Sequence, residues 1–174
     1  MLFRSIFIFK KVLFNPKNPR SYAEKSFDQI PYRQLPGILP NDFIKGAKAY
    51  KISYKTPAIS WDSNAYSYTR IGNPVINDNQ LLISSVFCYV SIDFNGTWVR
   101  LSSEGSSVSN KEAYYNLDQK GSWQKLIINP ECEDGEVPVY MFLAKYNTLD
   151  FDSLKGYVLF SYPKVDVKEN KLVP

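Results

Sequence analysis

The chain of 174 residues is long enough for one domain with an additional segment, and a hydrophobic fraction of 44% can supply a core. Histidine is absent, which excludes Ser-His-Asp and Cys-His catalysis and histidine-bound metals. The net charge of +4 is uneven, because residues 1–55 carry eleven basic and three acidic side chains, against ten and fourteen in the remainder. The basic residues are spread out, so we expect no nucleic-acid partner, and no apolar stretch is long enough to span a membrane.

The first 48 residues are predicted to form an extended N-terminal arm. Its prolines each remove a backbone donor and favour extended geometry in the preceding residue: Pro16, Pro19, Pro31, Pro36 and Pro40. Short helical turns are predicted at residues 21–28 and 41–46. Residues 1–14 are apolar but interrupted by charges, and no small-residue cleavage site follows, so we expect no secretory signal. Such an arm either wraps over the domain or reaches to a protein partner or a second copy of the chain.

From Ala49 the sequence changes to short alternating runs. Seven to nine strands are predicted, at residues 50–54, 59–62 and 66–71, two within 81–102, and at 113–117, 121–128, 137–146 and 156–163. Short strands with turn residues between them and almost no helical periodicity are typical of an all-β antiparallel sandwich or barrel. We therefore expect a β-sandwich over residues 49–165, with a charged tail over residues 166–174.

The stretch Ser84–Ser102 predicts a β-hairpin at the centre of this sandwich. Asn95 and Gly96 lie between two alternating runs, and Asn-Gly is the strongest short-range signal for a type I′ turn. The face predicted to be buried carries Val86, Cys88, Val90, Ile92, Phe94, Val99 and Leu101. The opposite face is polar but rich in aromatic groups. In the later run 137–146, Tyr140 and Phe142 likewise point away from the apolar positions.

The polar face of the predicted hairpin is the candidate ligand-binding site. Tyr89 and Asp93 come from one strand and Trp98 and Arg100 from the other, and cross-strand neighbours lie within reach of each other. Trp98 would stack on a sugar ring, while Asp93 and Arg100 would bind its hydroxyl groups. The alternative is an Asp93–Arg100 ion pair on a sheet that faces solvent or a partner. Trp61, in a polar loop-like context, is a further ligand-binding candidate.

Other residues are expected to have structural roles. Trp123 begins a strand and is predicted to fill the core, and Cys88 is predicted to pack inward as a small apolar side chain. A disulfide with Cys132 remains open, because the sequence cannot test its geometry. The acidic turn carries Glu131, Glu133, Asp134 and Glu136 but lacks the spacing of a calcium-binding loop, so a solvated turn is favoured and no metal is predicted.

The order of turns and strands between residues 72 and 160 is characteristic. The features are a turn at residues 72–79 before the run 81–93, the Asn95-Gly96 dipeptide, the strand entry at 121–126, the acidic turn, and strands at 137–143 and 154–160. This order resembles the galactose-binding-like jelly rolls, the β-sandwich family of many carbohydrate-binding modules. The resemblance implies a jelly roll with a non-catalytic binding role, and it makes Asp150 and Asp152 a second possible calcium position. It does not imply a sugar, because a fold does not assign function.

Two functions are therefore predicted. The first is a non-catalytic, carbohydrate-binding-like module that recognises a glycan or a cell-surface polymer. The alternative is a structural subunit of a larger assembly, such as a phage virion, tail or head-fibre protein, that docks through residues 1–48. An enzyme is not expected, because nothing in the sequence brings Asp93 together with Asp62 or Glu104, the carboxylates that could pair for glycoside hydrolysis.

Overall fold

The computed structural model describes residues 28–53, 65–77, 80–103, 111–130, 135–145 and 155–169. Within these ranges the chain forms eleven strands, two single-turn 3₁₀ helices and no α-helix. The strands are β1 (Gln29–Ile30), β2 (Ala49–Ser53), β3 (Ala65–Gly72), β4 (Val75–Ile76), β5 (Gln80–Val90), β6 (Trp98–Ser103), β7 (Glu112–Tyr114), β8 (Trp123–Ile128), β9 (Gly135–Glu136), β10 (Val139–Lys145) and β11 (Tyr157–Glu169). The 3₁₀ helices are Tyr32–Gln34 and Leu117–Gln119.

The strands form two main sheets that pack face to face. One has five strands in the order β1-β2-β11-β5-β8, and the other has four in the order β3-β10-β6-β7. β4 and β9 form a separate two-stranded ribbon whose Ile76 packs into the main core, and every pairing between the described strands is antiparallel. The predicted all-β antiparallel sandwich is confirmed. β11 continues through residues 166–169, where the sequence predicts a tail.

The main core lies between the two sheets and consists of every second residue of the strands, the positions that face inward. The five-stranded sheet contributes Val86, Cys88, Val90, Leu126, Val158 and Phe160, and the four-stranded sheet contributes Val99, Leu101, Val139, Met141 and Leu143. Each such side chain contributes roughly 1.5–3 kcal/mol on burial, so this alternation determines which face of each strand is inside. Cys88 is fully buried, as predicted, its thiol is free, and burial raises its pKa. Cys132 lies outside the described residues.

The predicted hairpin at Asn95-Gly96 is wrong. β5 pairs with β11 and β8, whereas β6 pairs with β10 and β7, so residues 91–97 cross from one sheet to the other. Neither Asn95 nor Gly96 has the positive φ that a type I′ turn needs. Phe94 turns into the core, and a Cβ on Gly96 would lie 2.1 Å from its ring, so the glycine serves close packing. Ile92, predicted to be buried, is 74% exposed in this crossing.

Residues 28–48 of the arm wrap over the outer surface of the five-stranded sheet, which is one of the two predicted alternatives. The ring centroid of Phe43 lies 5.0 Å from that of Phe87 and 5.1 Å from that of Trp123. The indole Nε1–H of Trp123 donates to the backbone oxygen of Pro36 at 2.8 Å. Trp123 is thus buried, as predicted, although beneath the arm and not between the sheets. The arm-covered face is the sheet surface formed by Phe87, Tyr89, Trp123 and Leu159.

Candidate functional site

The four predicted ligand-binding residues of the hairpin lie in different places. Tyr89 is only 6% exposed in the arm-covered face, and Asp93 is exposed in the crossing between the sheets. Trp98 and Arg100 lie together in β6, which belongs to the opposite sheet. The predicted single face is therefore wrong, because the strands that would build it are not neighbours. Trp61 lies outside the described residues.

Trp98 and Arg100 belong to a cluster on the outer surface of the four-stranded sheet. Residues opposite one another in register share a face of the sheet. Opposite Phe142 of β10 lie Arg100 on one side and Tyr68 of β3 on the other, and Tyr140 stands opposite Arg70. We call this cluster the aromatic face, and its residues are Tyr68, Arg70, Trp98, Arg100, Glu112, Tyr114, Tyr140 and Phe142.

The rings of the aromatic face contact one another around Phe142. The centroid of this ring lies 5.4 Å from those of Tyr68 and Tyr140 and 6.4 Å from that of Trp98, which in turn lies 6.4 Å from Tyr114. Aromatic pairs attract one another at such separations. Phe142 is buried, the rings of Tyr68, Tyr140 and Trp98 are half-buried, and Tyr114 is 52% exposed. Phe142 is thus the floor of a layer of rings that reaches solvent.

Arg100 joins these rings to a carboxylate. Its guanidinium lies 4.6 Å from the Trp98 ring and 5.0 Å from the Phe142 ring, within the range of cation–π attraction. Arg100 Nη1 donates to one oxygen of Glu112, and the hydroxyl of Tyr114 donates to the other. Burial lowers the pKa of Arg100, but its hydrogen bond with Tyr114 and the charge of Glu112 outweigh this, so its pKa is raised. Arg100 is therefore charged and held in one orientation.

Arg70 stands at the other side of the aromatic face and is exposed. Its guanidinium carbon lies 5.3 Å from the centroid of the Tyr140 ring, and Nη2 donates to the Tyr140 hydroxyl at 2.9 Å. Tyr140 in turn meets the ring of Tyr68 edge-on at 5.7 Å. The aromatic face therefore carries an arginine near each side and apolar ring surface between them.

The sequence pattern contains part of the aromatic face. Alternation predicts the outward direction of Tyr140 and Phe142, and it predicts that one of Tyr114 and Tyr115 is exposed, as Tyr114 is. It does not show that β10 lies between β3 and β6, because strand order depends on long-range pairing. Glu112 is missed altogether, since nothing in the sequence connects it with Arg100.

The site offers ring stacking and charge-assisted hydrogen bonds. Within the described ranges, no group of three or more side chains is arranged to hold a metal ion. Of the predicted acidic turn, Glu136 is described and accepts a hydrogen bond from Asn73 at 2.6 Å. Glu131, Glu133 and Asp134, like Asp150 and Asp152, lie outside the described residues.

No protein-family model and no curated protein sequence matches the chain significantly. In the part of the chain that the structure describes, no helix is long and apolar enough to cross a membrane. The site itself therefore carries the functional argument.

Proposed function

We propose that this protein is a non-catalytic recognition module that binds a glycan, or another cell-surface polymer built of sugar rings, through the aromatic face. One observation carries the proposal. The rings of Trp98, Tyr114 and Tyr140 reach solvent on a single sheet surface, beside the charged pair of Arg100 and Glu112.

This combination suits a sugar for a physical reason. One side of a pyranose ring presents C–H groups, which stack on aromatic rings such as that of Trp98, while the rim carries hydroxyl groups. A guanidinium and a carboxylate bind neighbouring hydroxyls through charge-assisted hydrogen bonds, which are stronger than neutral ones. Because Arg100 is already held by Glu112 and Trp98, little side-chain entropy is lost when a ligand binds.

The proposed site differs from the one that the sequence predicts. It keeps Trp98 and Arg100, which lie on the same strand. It leaves out Tyr89, which the arm covers, and Asp93, which lies in the crossing between the sheets. Tyr114 replaces them, because β7 pairs with β6 and places its ring beside Trp98.

The test is binding of the full chain to a glycan array, followed by calorimetry with each glycan that it retains. Trp98→Ala and Tyr114→Ala should each weaken binding about two- to tenfold, as expected for the loss of one aromatic contact. The matched control is Ile127→Ala, because Ile127 is 53% exposed, against 52% for Tyr114, and lies on the other sheet. This control should bind as the parent does.

Circular dichroism and thermal unfolding establish that each variant is folded. A double variant, Trp98→Ala with Tyr114→Ala, that folds and binds the same glycans as tightly as the parent would contradict the proposal. So would a parent chain that binds no glycan on the array.

A structural subunit of a larger assembly is the second candidate function, and the arm favours it. Ile38 and Ile44 lie on the solvent side of the arm, and Ile38 is 93% exposed. Apolar groups presented in this way suit contact with another protein. Ile38→Asp with Ile44→Asp should abolish self-association or partner binding in analytical ultracentrifugation. A parent chain that sediments as a monomer, alone and with its candidate partners, excludes this function.

A further inference from the structure

The two arginines of the aromatic face differ in their electrostatic surroundings. Arg100 is partly buried and forms an ion pair with Glu112. Arg70 is exposed, and no carboxylate among the described residues forms an ion pair or hydrogen bond with it. With two arginines against one glutamate, the aromatic face carries an excess positive charge, and that charge is located at Arg70.

The guanidinium of Arg70 is oriented by Tyr140. The ring of Tyr140 lies 5.3 Å from the guanidinium carbon, and its hydroxyl accepts from Nη2 at 2.9 Å. An arginine has five N–H donors in a fixed planar fork. One of these donors is used within the described part of the chain, so the others can bind a ligand that lies on the neighbouring rings. An oriented guanidinium loses less entropy on binding than a freely rotating one.

We infer that the aromatic face takes an acidic polysaccharide, one whose sugar rings carry carboxylate groups. This inference rests on the proposed function and names the ligand class. A sugar ring stacks on Tyr140 or Tyr68, and its carboxylate accepts two parallel N–H bonds from the Arg70 fork. Arg100 does not fill this role, because Glu112 already neutralises it.

A carboxylate fits better than a neutral hydroxyl group for a reason of charge. The excess charge at Arg70 gains Coulomb energy only from an anion, and a bidentate carboxylate matches the planar fork in shape as well. A sulfate ester carries the same charge on three tetrahedrally arranged oxygens, a shape different from that of the flat carboxylate. Arg70 is therefore the specificity-determining residue of the site.

The test compares two forms of one polymer. Polygalacturonate carries a carboxylate on every ring, and its methyl ester has the same backbone without the charge. The full-length chain should bind the acid at least about tenfold more tightly than the ester in calorimetry at low salt, in line with a hydrogen-bonded charge pair. Salt should weaken binding to the acid and leave binding to the ester nearly unchanged.

Variants at Arg70 assign the preference to this residue. Arg70→Gln should remove the preference for the acid while binding of the ester stays within about twofold of the parent. Arg70→Lys should retain part of the preference, since it keeps the charge and loses the fork. The control is Arg33→Gln, which removes the same charge from an exposed position in the arm and should leave the preference intact.

Failure of this inference can be told apart from failure of the proposed function. A parent chain that binds neutral glycans at the aromatic face but shows no preference for the acid overturns the inference alone. A preference that persists in Arg70→Gln, or binding to dextran sulfate that equals binding to polygalacturonate, also overturns it. Absence of binding to charged and neutral glycans alike overturns both.

Discussion

Both outer surfaces of the sandwich are rich in aromatic side chains, but the described part of the arm, residues 28–48, covers only one of them. On the arm-covered face, Tyr89 and Trp123 are 6% and 7% exposed beneath Phe43 and its neighbours. On the aromatic face, Tyr114 is half exposed and Trp98 is half-buried. Outward-pointing aromatic residues in a strand therefore do not identify a ligand surface. What distinguishes core from candidate site here is the segment that packs on top.

The polar groups of the two faces differ in burial and in charge. On the arm-covered face the indole N–H of Trp123 finds its acceptor in the backbone of Pro36, as a buried donor must. The aromatic face also carries charged side chains, and one of them, Arg70, is oriented by Tyr140 and forms no ion pair with a described carboxylate. Satisfied neutral groups stabilise a fold, whereas an exposed oriented charge can bind a ligand.

The largest difference between the faces should be seen on truncating one tryptophan from each. Trp123→Ala removes a buried ring and its hydrogen bond to Pro36, and should lower the free energy of unfolding by about 3–5 kcal/mol. Trp98→Ala should cost only about 1 kcal/mol, since its ring is half-buried and its loss removes mainly aromatic contacts. Urea unfolding of the full chain measures both. Equal losses would mean that both faces are structural.

Phe43→Ala tests whether the arm is held by its aromatic contacts. The ring of Phe43 contacts both Phe87 and Trp123, so its removal should cost about 3 kcal/mol. It should also speed hydrogen exchange of the Trp123 indole N–H, because the arm that protects this group is loosened. NMR exchange measurements report this directly. Unchanged exchange in a destabilised variant would show that the arm is held mainly elsewhere.

The class of the fold can be predicted from the sequence because it depends on local patterns. Alternating apolar positions identify Val86, Cys88 and Val90 as one buried face of β5, and the structure confirms it. The partner strands of β5 cannot be derived in this way. The dipeptide Asn95-Gly96 predicts a local turn, but the long-range pairing of β5 with β11 and of β6 with β10 overrides it.

The candidate site could be predicted only in part, because the segment that covers a strand face is also set by long-range packing. In β5 every residue from Val86 to Val90 is buried, so the strand needs cover on both faces. That continuous apolar and aromatic run is the signal that Tyr89 belongs to a second core beneath another segment. β6 has no such run: Trp98 and Arg100 alternate with buried Val99 and Leu101, and their face has no such cover among the described residues. The run shows that Tyr89 needs a covering segment, but only the fold shows that residues 28–48 provide it.

Two tyrosines, Tyr89 on the arm-covered face and Tyr114 on the aromatic face, should both show a raised pKa, but the cause differs between them. Burial raises the pKa of Tyr89, whereas the hydrogen bond donated to Glu112 raises that of Tyr114, each from 10.0. Glu112→Gln should therefore lower the pKa of Tyr114 alone, and Phe43→Ala should lower that of Tyr89 alone. NMR titration of the two phenols follows each shift. A Tyr114 pKa that stays raised in Glu112→Gln would show that Glu112 is not its cause.

These phenols also affect stability at alkaline pH. A group whose pKa is raised on folding stabilises the protein below its unfolded value, here 10.0, and this contribution is lost as the pH rises through the folded value. Unfolding measured above pH 10 should therefore show a loss of stability. Tyr114→Phe and Tyr89→Phe should each reduce the steepness of that loss.

The smallest effect should come from the ion pair at the margin of the arm-covered face. Lys125 Nζ lies 2.6 Å from Asp42 Oδ2, and the hydrogen bond from Lys125 lowers the pKa of Asp42 below 3.8. A carboxyl whose pKa is lowered on folding contributes stability above its unfolded pKa and loses it as the pH falls through the folded value.

Both side chains are exposed, so solvent and salt screen the pair. Asp42→Asn should therefore change stability least of the variants, and about 1 M salt should abolish the difference. A loss comparable to that of Phe43→Ala would mean that charge, and not the aromatic cluster, holds the arm on the sheet.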